Sequence, residues 1–474
     1  MKPAVPTEFR NHSLGFPSQL TFPAATACMP SAPQMIWRIP AFLFVISIFC
    51  FHAGAVTPQE KVLYRFQGGT DGALPSGLVA DKNGNLYGTT NVGGLESGLC
   101  QADDGCGTIF QLKPPSRSGA PWTETVIYEF LPFAHPLAGL IIDDAGNLYG
   151  TATYGGAYDN GMVFQLRPPA KPGDPWTENT LYSFLAGLDG AVPSAPLVLD
   201  TKGNLYGTTE FGGGDSCVGS YQEPGCGTVF RLTPPADVGN WTETVLYRFA
   251  PFNDYPMAGL ILDSQGNLYG TTAGDQSASF GTAFELSPPV QGGGWTETTL
   301  YSFGTSRNDG ITPYAGLIFD KRGNLYGTTN QGGARGAACP VGCGTAFELS
   351  PSGKGAWTEK VLYAFVNGAD GAYPYAGLLA DGAGNLYGTT FYGGTQGGNC
   401  EGIGGCGIVF LLRPPVSGGA WRETVLYRFT GGLDGQGPQD TVIFGKRSLL
   451  GTTAHGGGTC AFPFTCGTVF QLLP

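Results

Sequence analysis

Residues Ala258 to Leu286 read AGLILDSQGNLYGTTAGDQSASFGTAFEL, and Thr296 to Phe303 add TETTLYSF. Four runs stand out: AGLIL, NLYGTT, GTAFEL and TETTLYSF. Each is short, rich in Ile, Leu, Tyr, Phe and Thr, and bounded by Gly, Pro, Asn or Asp, which is how strands read. No 3.6-residue periodicity competes with them. One copy of the block therefore predicts four strands, the first two joined through the turn D-x-x-G-N. Asp caps that turn and Gly takes positive φ, so it reads as a tight hairpin.

The block recurs seven times. GNLYGTT stands at Gly84–Thr90, Gly203–Thr209, Gly266–Thr272, Gly323–Thr329 and Gly384–Thr390; it reads GNLYGTA from Gly146 and has decayed to SLLGTT at Ser448–Thr453. GTVFQL-like strings end at Leu112, Leu166, Leu232, Leu286, Leu349, Leu412 and Leu472. TETVLYRF-like strings centre on Tyr64, Tyr128, Tyr182, Tyr247, Tyr301, Tyr363 and Tyr427, spaced 54 to 65 residues apart. The AGLIL-like strings are entered through Pro75, Pro136, Pro193, Pro256, Pro313, Pro374 and Pro438. A solenoid coil needs a shorter period, and separate sandwiches would leave an odd unit with open edges. Four-stranded repeats of roughly this size are the signature of propeller blades. The expected fold is all-β: a seven-bladed β-propeller over residues 60–474, four antiparallel strands per blade.

The phase of the blades follows. With AGLIL innermost and TETVLYRF outermost, the first strand of the array lacks a blade and the last blade lacks its outer strand. Residues 61–66 are therefore expected beside residues 468–473. Six of the seven tryptophans, Trp122, Trp176, Trp241, Trp295, Trp357 and Trp421, fall in the link from third to fourth strand. Their regular recurrence reads as hydrophobic cover at the lower, outer rim; a sugar-stacking platform is the sharper alternative.

Composition excludes several function classes. Gly and Pro make up about a quarter of the 474 residues, but at fixed places between apolar runs, as turn residues. With a net charge of −12 and no basic patch, nucleic acid is not an expected partner. Near the N-terminus Arg38 precedes the apolar run from Ile39 to Phe51, and Ala53-Gly54-Ala55 follows in the A-x-A pattern. That run is short for a membrane span and right for a signal core. Residues 35–55 are read as a cleaved signal peptide, with an uncleaved anchor as the alternative. Met35 is read as the start, leaving residues 1–34 as over-annotation or a disordered N-terminus. No other run is long enough to span a membrane, and the expected product is a secreted or cell-surface monomer.

Ten cysteines form five short pairs in the loop from second to third strand: Cys100/Cys106, Cys217/Cys226, Cys339/Cys343, Cys400/Cys406 and Cys460/Cys466. Repeats two and four lack both members. In an exported chain this reads as five disulfides; zinc would lack ligands. The loop entering the inner strand carries Asp-Gly at Asp71, Asp189, Asp309, Asp370 and Asp434, and the same two repeats lack it. The two loops are expected to touch, Asp accepting backbone N–H groups of the disulfide loop. Calcium at these Asp residues is the sharper alternative, thin at one carboxylate per loop.

AGLILDSQGNLYGTT followed by GTAFEL resembles the GloVer tandem repeat of exported bacterial proteins with a choice of C-terminal anchors, across nearly all of residues 60–474. The strand grammar is more distantly similar to NHL-type propeller repeats. The resemblance implies secretion or surface display and no established activity. The final residues, VFQLLP, carry no sorting tail, a departure from the anchored members.

Catalytic motifs are sparse. Only His135 and His455 fall within residues 60–474, both on loops. GGGDS and GGGTC open no helix, so no phosphate loop forms, and no G-x-S-x-G elbow is present. The upper rim varies instead. Val92, Tyr154, Phe211, Gly274, Gln331, Tyr392 and His455 follow the second strand, and Ser76, Leu137, Ser194, Met257, Tyr314 and Tyr375 enter the inner one. A rigid repeat that varies at one rim resembles a binding scaffold; drift on a solvated surface gives the same pattern. The candidate ligand-facing residues are His135, Tyr154, Phe211, Tyr314, Tyr375, Tyr392 and His455. The favoured function is a non-catalytic exported scaffold for an extracellular glycan or protein, with no metal or cofactor. The alternative is a lyase- or lactonase-type propeller enzyme with a metal at the channel mouth.

Overall fold

The computed structural model describes residues 58–474 apart from 95–99, 101–104, 118, 131–133, 215–224, 238, 252–254, 276–278, 291, 354, 417 and 459–465. The signal-peptide reading of residues 35–55, the reading of 1–34, and Cys217 and Cys460 lie outside the described residues. Seven four-stranded antiparallel sheets form a seven-bladed propeller. Blade 1 runs Ala73–Ala80, Leu86–Val92, Thr108–Lys113 and Thr123–Glu129 from inside to outside. Blades 2 to 6 repeat that order. Blade 7 takes Ile443–Phe444, Leu449–Thr453 and Thr468–Leu473 from the C-terminal end, and its outermost strand is Gln59–Arg65. Glu60 lies opposite Leu472 and Arg65 opposite Thr468. Among the described residues no α-helix forms, and none is long and apolar enough to cross a membrane.

The inner hairpin is held by its Asp. In blade 1, Asp81 Oδ1 accepts the N–H groups of Asn83 and Asn85, while Oδ2 accepts the Asn85 amide at 2.7 Å and the Tyr87 hydroxyl at 3.3 Å. The same set recurs in blades 2 to 6. One carboxylate thus ties the turn to the first residues of the second strand.

Phenylalanines join one blade to the next. Phe66, which follows the outer strand of blade 7, meets Phe110 of blade 1 edge-on at 5.0 Å, and Phe130 meets Phe164 of blade 2 at 5.1 Å. All seven seams carry this pair. The tip of the third-strand Phe ring sits against the glycine of LYGTT: a Cβ on Gly88 would sit 2.5 Å from Phe110 Cζ. That close approach is why the string keeps glycine. Each linker tryptophan packs on the preceding blade's second-strand tyrosine or its cluster, as Trp176 does on Tyr87 at 5.8 Å and Trp421 on Tyr326 at 6.2 Å. The tryptophans pack each blade on the one before it.

Around the axis the inner strands approach backbone to backbone. Added Cβ atoms on Gly77, Gly259, Gly316 and Gly377 would meet Gly139, Pro196, Gly259 and Gly316 at 2.3 to 3.3 Å. These glycines let the inner strands approach closely around the axis. Just outside this ring the first Thr of each LYGTT string bridges to the next blade: Thr89 donates to the Ala138 carbonyl at 3.2 Å and Thr328 to Ala376 at 2.8 Å. The seam between blades 7 and 1 is built differently. Asp440 stands where blades 2 to 6 have Ala; its Oδ2 accepts the Thr452 hydroxyl at 3.0 Å and its Oδ1 the Ser76 hydroxyl at 3.1 Å. Burial pushes the Asp440 carboxyl up, while donors at Gly77, Thr452 and Ser76 pull it back. Asp440 thus closes the ring covalently distant but chemically adjacent to blade 1.

Candidate functional site

The upper face is a backbone lattice. The loop entering each inner strand carries a residue at positive φ, Leu74, His135, Val192, Tyr255, Thr312 or Tyr373, with Gly437 in blade 7. Its N–H donates to the preceding blade, at the carbonyl of the second cysteine where there is one: Leu74 to Cys466, His135 to Cys106, Tyr255 to Cys226, Tyr373 to Cys343 and Gly437 to Cys406, at 2.7 to 3.3 Å. After the two plain blades, Asn160 and Phe280 supply that carbonyl to Val192 and Thr312. The disulfide loop therefore anchors the neighbouring blade as well as its own. Cys100–Cys106, Cys339–Cys343 and Cys400–Cys406 are bonded, with Cα atoms 5.2 to 5.4 Å apart; Cys226 and Cys466 are also disulfide-bonded.

The Asp-Gly loop does touch the disulfide loop of its own blade, but through backbone. Gly69 O accepts from Gly94 N, Gly187 O from Gly213 N, and Gly368 O from Gly394 N. The aspartates act elsewhere than the expected disulfide loop, because a short Asp side chain reaches its own turn first. Asp71 Oδ2 accepts the Gln67 N–H and the Tyr64 hydroxyl, both at 2.9 Å. Asp189, Asp309, Asp370 and Asp434 make the same pair with Tyr182, Tyr301, Tyr363 and Tyr427.

A glutamate from the next outer strand faces each of these pairs. Glu124, Glu243, Glu359, Glu423 and Glu60 feel Asp71, Asp189, Asp309, Asp370 and Asp434 respectively; burial first, and then the Asp charge, pushes each up to about 7. Their Oε1 atoms are buried without a hydrogen-bond partner among the described residues. In the outer strands beside the two plain entrances the residue two further on is Thr, and Glu178 and Glu297 accept its hydroxyl at 2.9 and 3.0 Å. In the other five strands that position is Val. Among the described residues no group of three or more His, Cys, Asp or Glu assembles.

The candidate rim residues fall into three groups. Tyr314 of blade 5 stacks on Tyr375 of blade 6 at 5.7 Å and 8°. Tyr375 meets Phe391 at 5.5 Å, and Phe391 meets Tyr392 at 4.7 Å and His455 of blade 7 at 6.0 Å. These rings form one run over three blades, with Tyr375 40% exposed. His135 and Tyr154 are a separate edge-on pair in blade 2, 6.2 Å apart, and Asn91 O lies 3.1 Å from His135 Nδ1. Phe211 departs from the ligand-facing expectation: it is 5% exposed, packed with Ala191, Val192 and Tyr255, because the left-handed turn at Val192 folds the entrance over it. Beside the rim Glu210 is pushed up to about 7 by burial.

The repeated hairpin, the phenylalanine seams and the ring of glycines account for the strings that recur along the chain. Residues 48–221 match the Gloeobacter/Verrucomicrobia repeat. Blades 4 to 7, beyond residue 221, pair their second and third strands in the register seen in blades 1 to 3. A crystal structure of a protein of unknown function from Dyadobacter fermentans DSM 18053 aligns over 88% of this chain and 98% of its own, at 13% identity and a TM-score of 0.40. No curated protein matches. Sequence reasoning missed Phe391, Asp440 and the five glutamates. Phe391 and Asp440 each stand at a position where other copies carry something different, and the glutamates sit in a string that reads as a plain strand.

Proposed function

We propose that the chain is an exported, non-catalytic binding scaffold that takes an extracellular glycan or protein at the mouth of its axial channel. The observation that carries this reading is the aromatic run Tyr314–Tyr375–Phe391–Tyr392–His455 across three blades. Exposed aromatic rings on a rigid frame offer large contact area at low entropic cost. The paired cysteines support export, since such bonds persist in oxidising compartments.

The test is a glycan array, and in parallel a panel of purified cell-surface proteins, probed with the secreted protein and with Tyr375→Ala. Loss of about tenfold in affinity on removing Tyr375, at unchanged melting temperature, supports the reading. Binding that ignores both Tyr375→Ala and Tyr314→Ala refutes it.

A further inference from the structure

A groove of about 460 Å³ runs along the outer edge of blade 2, away from the channel mouth. Its wall is the outermost strand from Asn179 to Ser183, a span of roughly 13 Å at the rise of a strand. Asn240 and Trp241, from the lower linker of blade 3, close one end; Tyr158 and Leu185, from the upper loops, close the other.

Residues that depart from the repeat meet here. Asn179 stands where the other outer strands have Lys61, Thr125, Thr244, Thr298, Lys360 and Thr424. Asn240 precedes its tryptophan where other linkers have Pro121, Pro175, Gly294, Ala356 and Ala420. Tyr158 belongs to the loop that replaces a disulfide loop in blade 2, and is 57% exposed. Three separate segments thus bring Tyr158, Asn179 and Asn240 together at this groove.

The chemistry of the lining narrows the ligand. Tyr158, Tyr182 and Trp241 supply ring faces. The Asn179 and Asn240 amides make no side-chain hydrogen bond to the described residues, so their donors and acceptors are open to a ligand. No lining residue is charged. An ion would lose water here without a counter-charge. An apolar ligand would strip water from two amides and return nothing. A neutral molecule with apolar C–H faces and hydroxyl edges meets both demands. We propose that this groove is a second binding site, separate from the channel mouth, that takes a neutral carbohydrate, its ring faces on the aromatics and its hydroxyls on Asn179 and Asn240.

The experiment titrates the full chain with maltohexaose, cellohexaose, laminarihexaose and chitohexaose, and with an anionic hexagalacturonate, by calorimetry and tryptophan fluorescence. At least one neutral hexamer binds, Asn240→Ala and Tyr158→Ala each weaken it about tenfold, and Tyr375→Ala leaves it unchanged. Both substituted side chains are at the surface, and far-UV circular dichroism confirms that the variants fold. The proposal is overturned if no neutral hexamer binds, if hexagalacturonate binds as tightly, or if Asn240→Ala and Tyr158→Ala bind like the parent. Loss with Tyr375→Ala alone would assign the binding to the channel mouth instead.

Discussion

Raising the pH from 4.5 to 7.5 should loosen the ring. Five half-buried glutamates, Glu60, Glu124, Glu243, Glu359 and Glu423, are pushed from 4.5 up to about 7. A carboxyl that holds its proton more tightly in the fold than in the unfolded chain stabilises fully below about 4.5. That contribution is lost as the pH climbs to about 7. At full burial the displacement is worth roughly 3.4 kcal/mol per group. These side chains are close to half exposed, and screening reduces that to roughly 1 kcal/mol each, or roughly 5 kcal/mol for five. Glu210 adds in the same direction. Urea unfolding followed by tryptophan fluorescence at pH 4.5, 5.5, 6.5 and 7.5 reads the loss directly. Glu243→Gln isolates one group: the variant should lose about 1 kcal/mol less than the parent across that window. If the pH dependence of the variant parallels that of the parent, Glu243 does not carry a displaced proton and the reasoning fails.

Asp440→Ala should cost about 1–3 kcal/mol, since it strands the Thr452 hydroxyl in the closing seam; Asp440→Asn should cost less, and thermal melts of both decide. Replacing Cys400 and Cys406 by Ser should cost about 2 kcal/mol and speed hydrogen exchange of the Gly437 amide, which donates to Cys406 O at 2.9 Å. Unchanged exchange would separate the disulfide from that anchor. Gly327→Ala puts a Cβ 2.6 Å from Phe347 Cζ and 3.0 Å from Leu317 Cδ2, and should cost about 1–3 kcal/mol in chemical unfolding.

The strands, their order and the hairpin aspartates were legible because each is written seven or six times over, so a local pattern and a global closure agree. The tryptophans were legible as packing for the same reason. The rim was less so. Whether Phe211 turns in or out depends on left-handed backbone at Val192, and a non-glycine residue gives no sign of positive φ. Asp440 gives no sign in the sequence, since its bond to Ser76 comes from 364 residues away. The glutamate pattern was there to be found. Val or Thr two residues on follows the presence or absence of the neighbouring Asp, but a carboxylate in an outer strand reads as solvated until its neighbours are known.

The pairing of Gln59–Arg65 with Thr468–Leu473 sets the order of assembly. The strand made first is the last to find its partner, after some 400 residues have followed it. Blades 1 to 6 can form in the order of synthesis, each on its predecessor, while the first strand waits with Leu63 uncovered. The final step is a single long-range docking that brings Ser76 to Asp440 and Phe66 onto Phe110 at once. Such a step is slow by the entropy of loop closure, and it gives the molecule a latch. A protease cut in the short segment between Arg65 and Ala73 would leave every sheet intact, yet turn the closing strand into a separate peptide, held by its ladder alone and free to exchange.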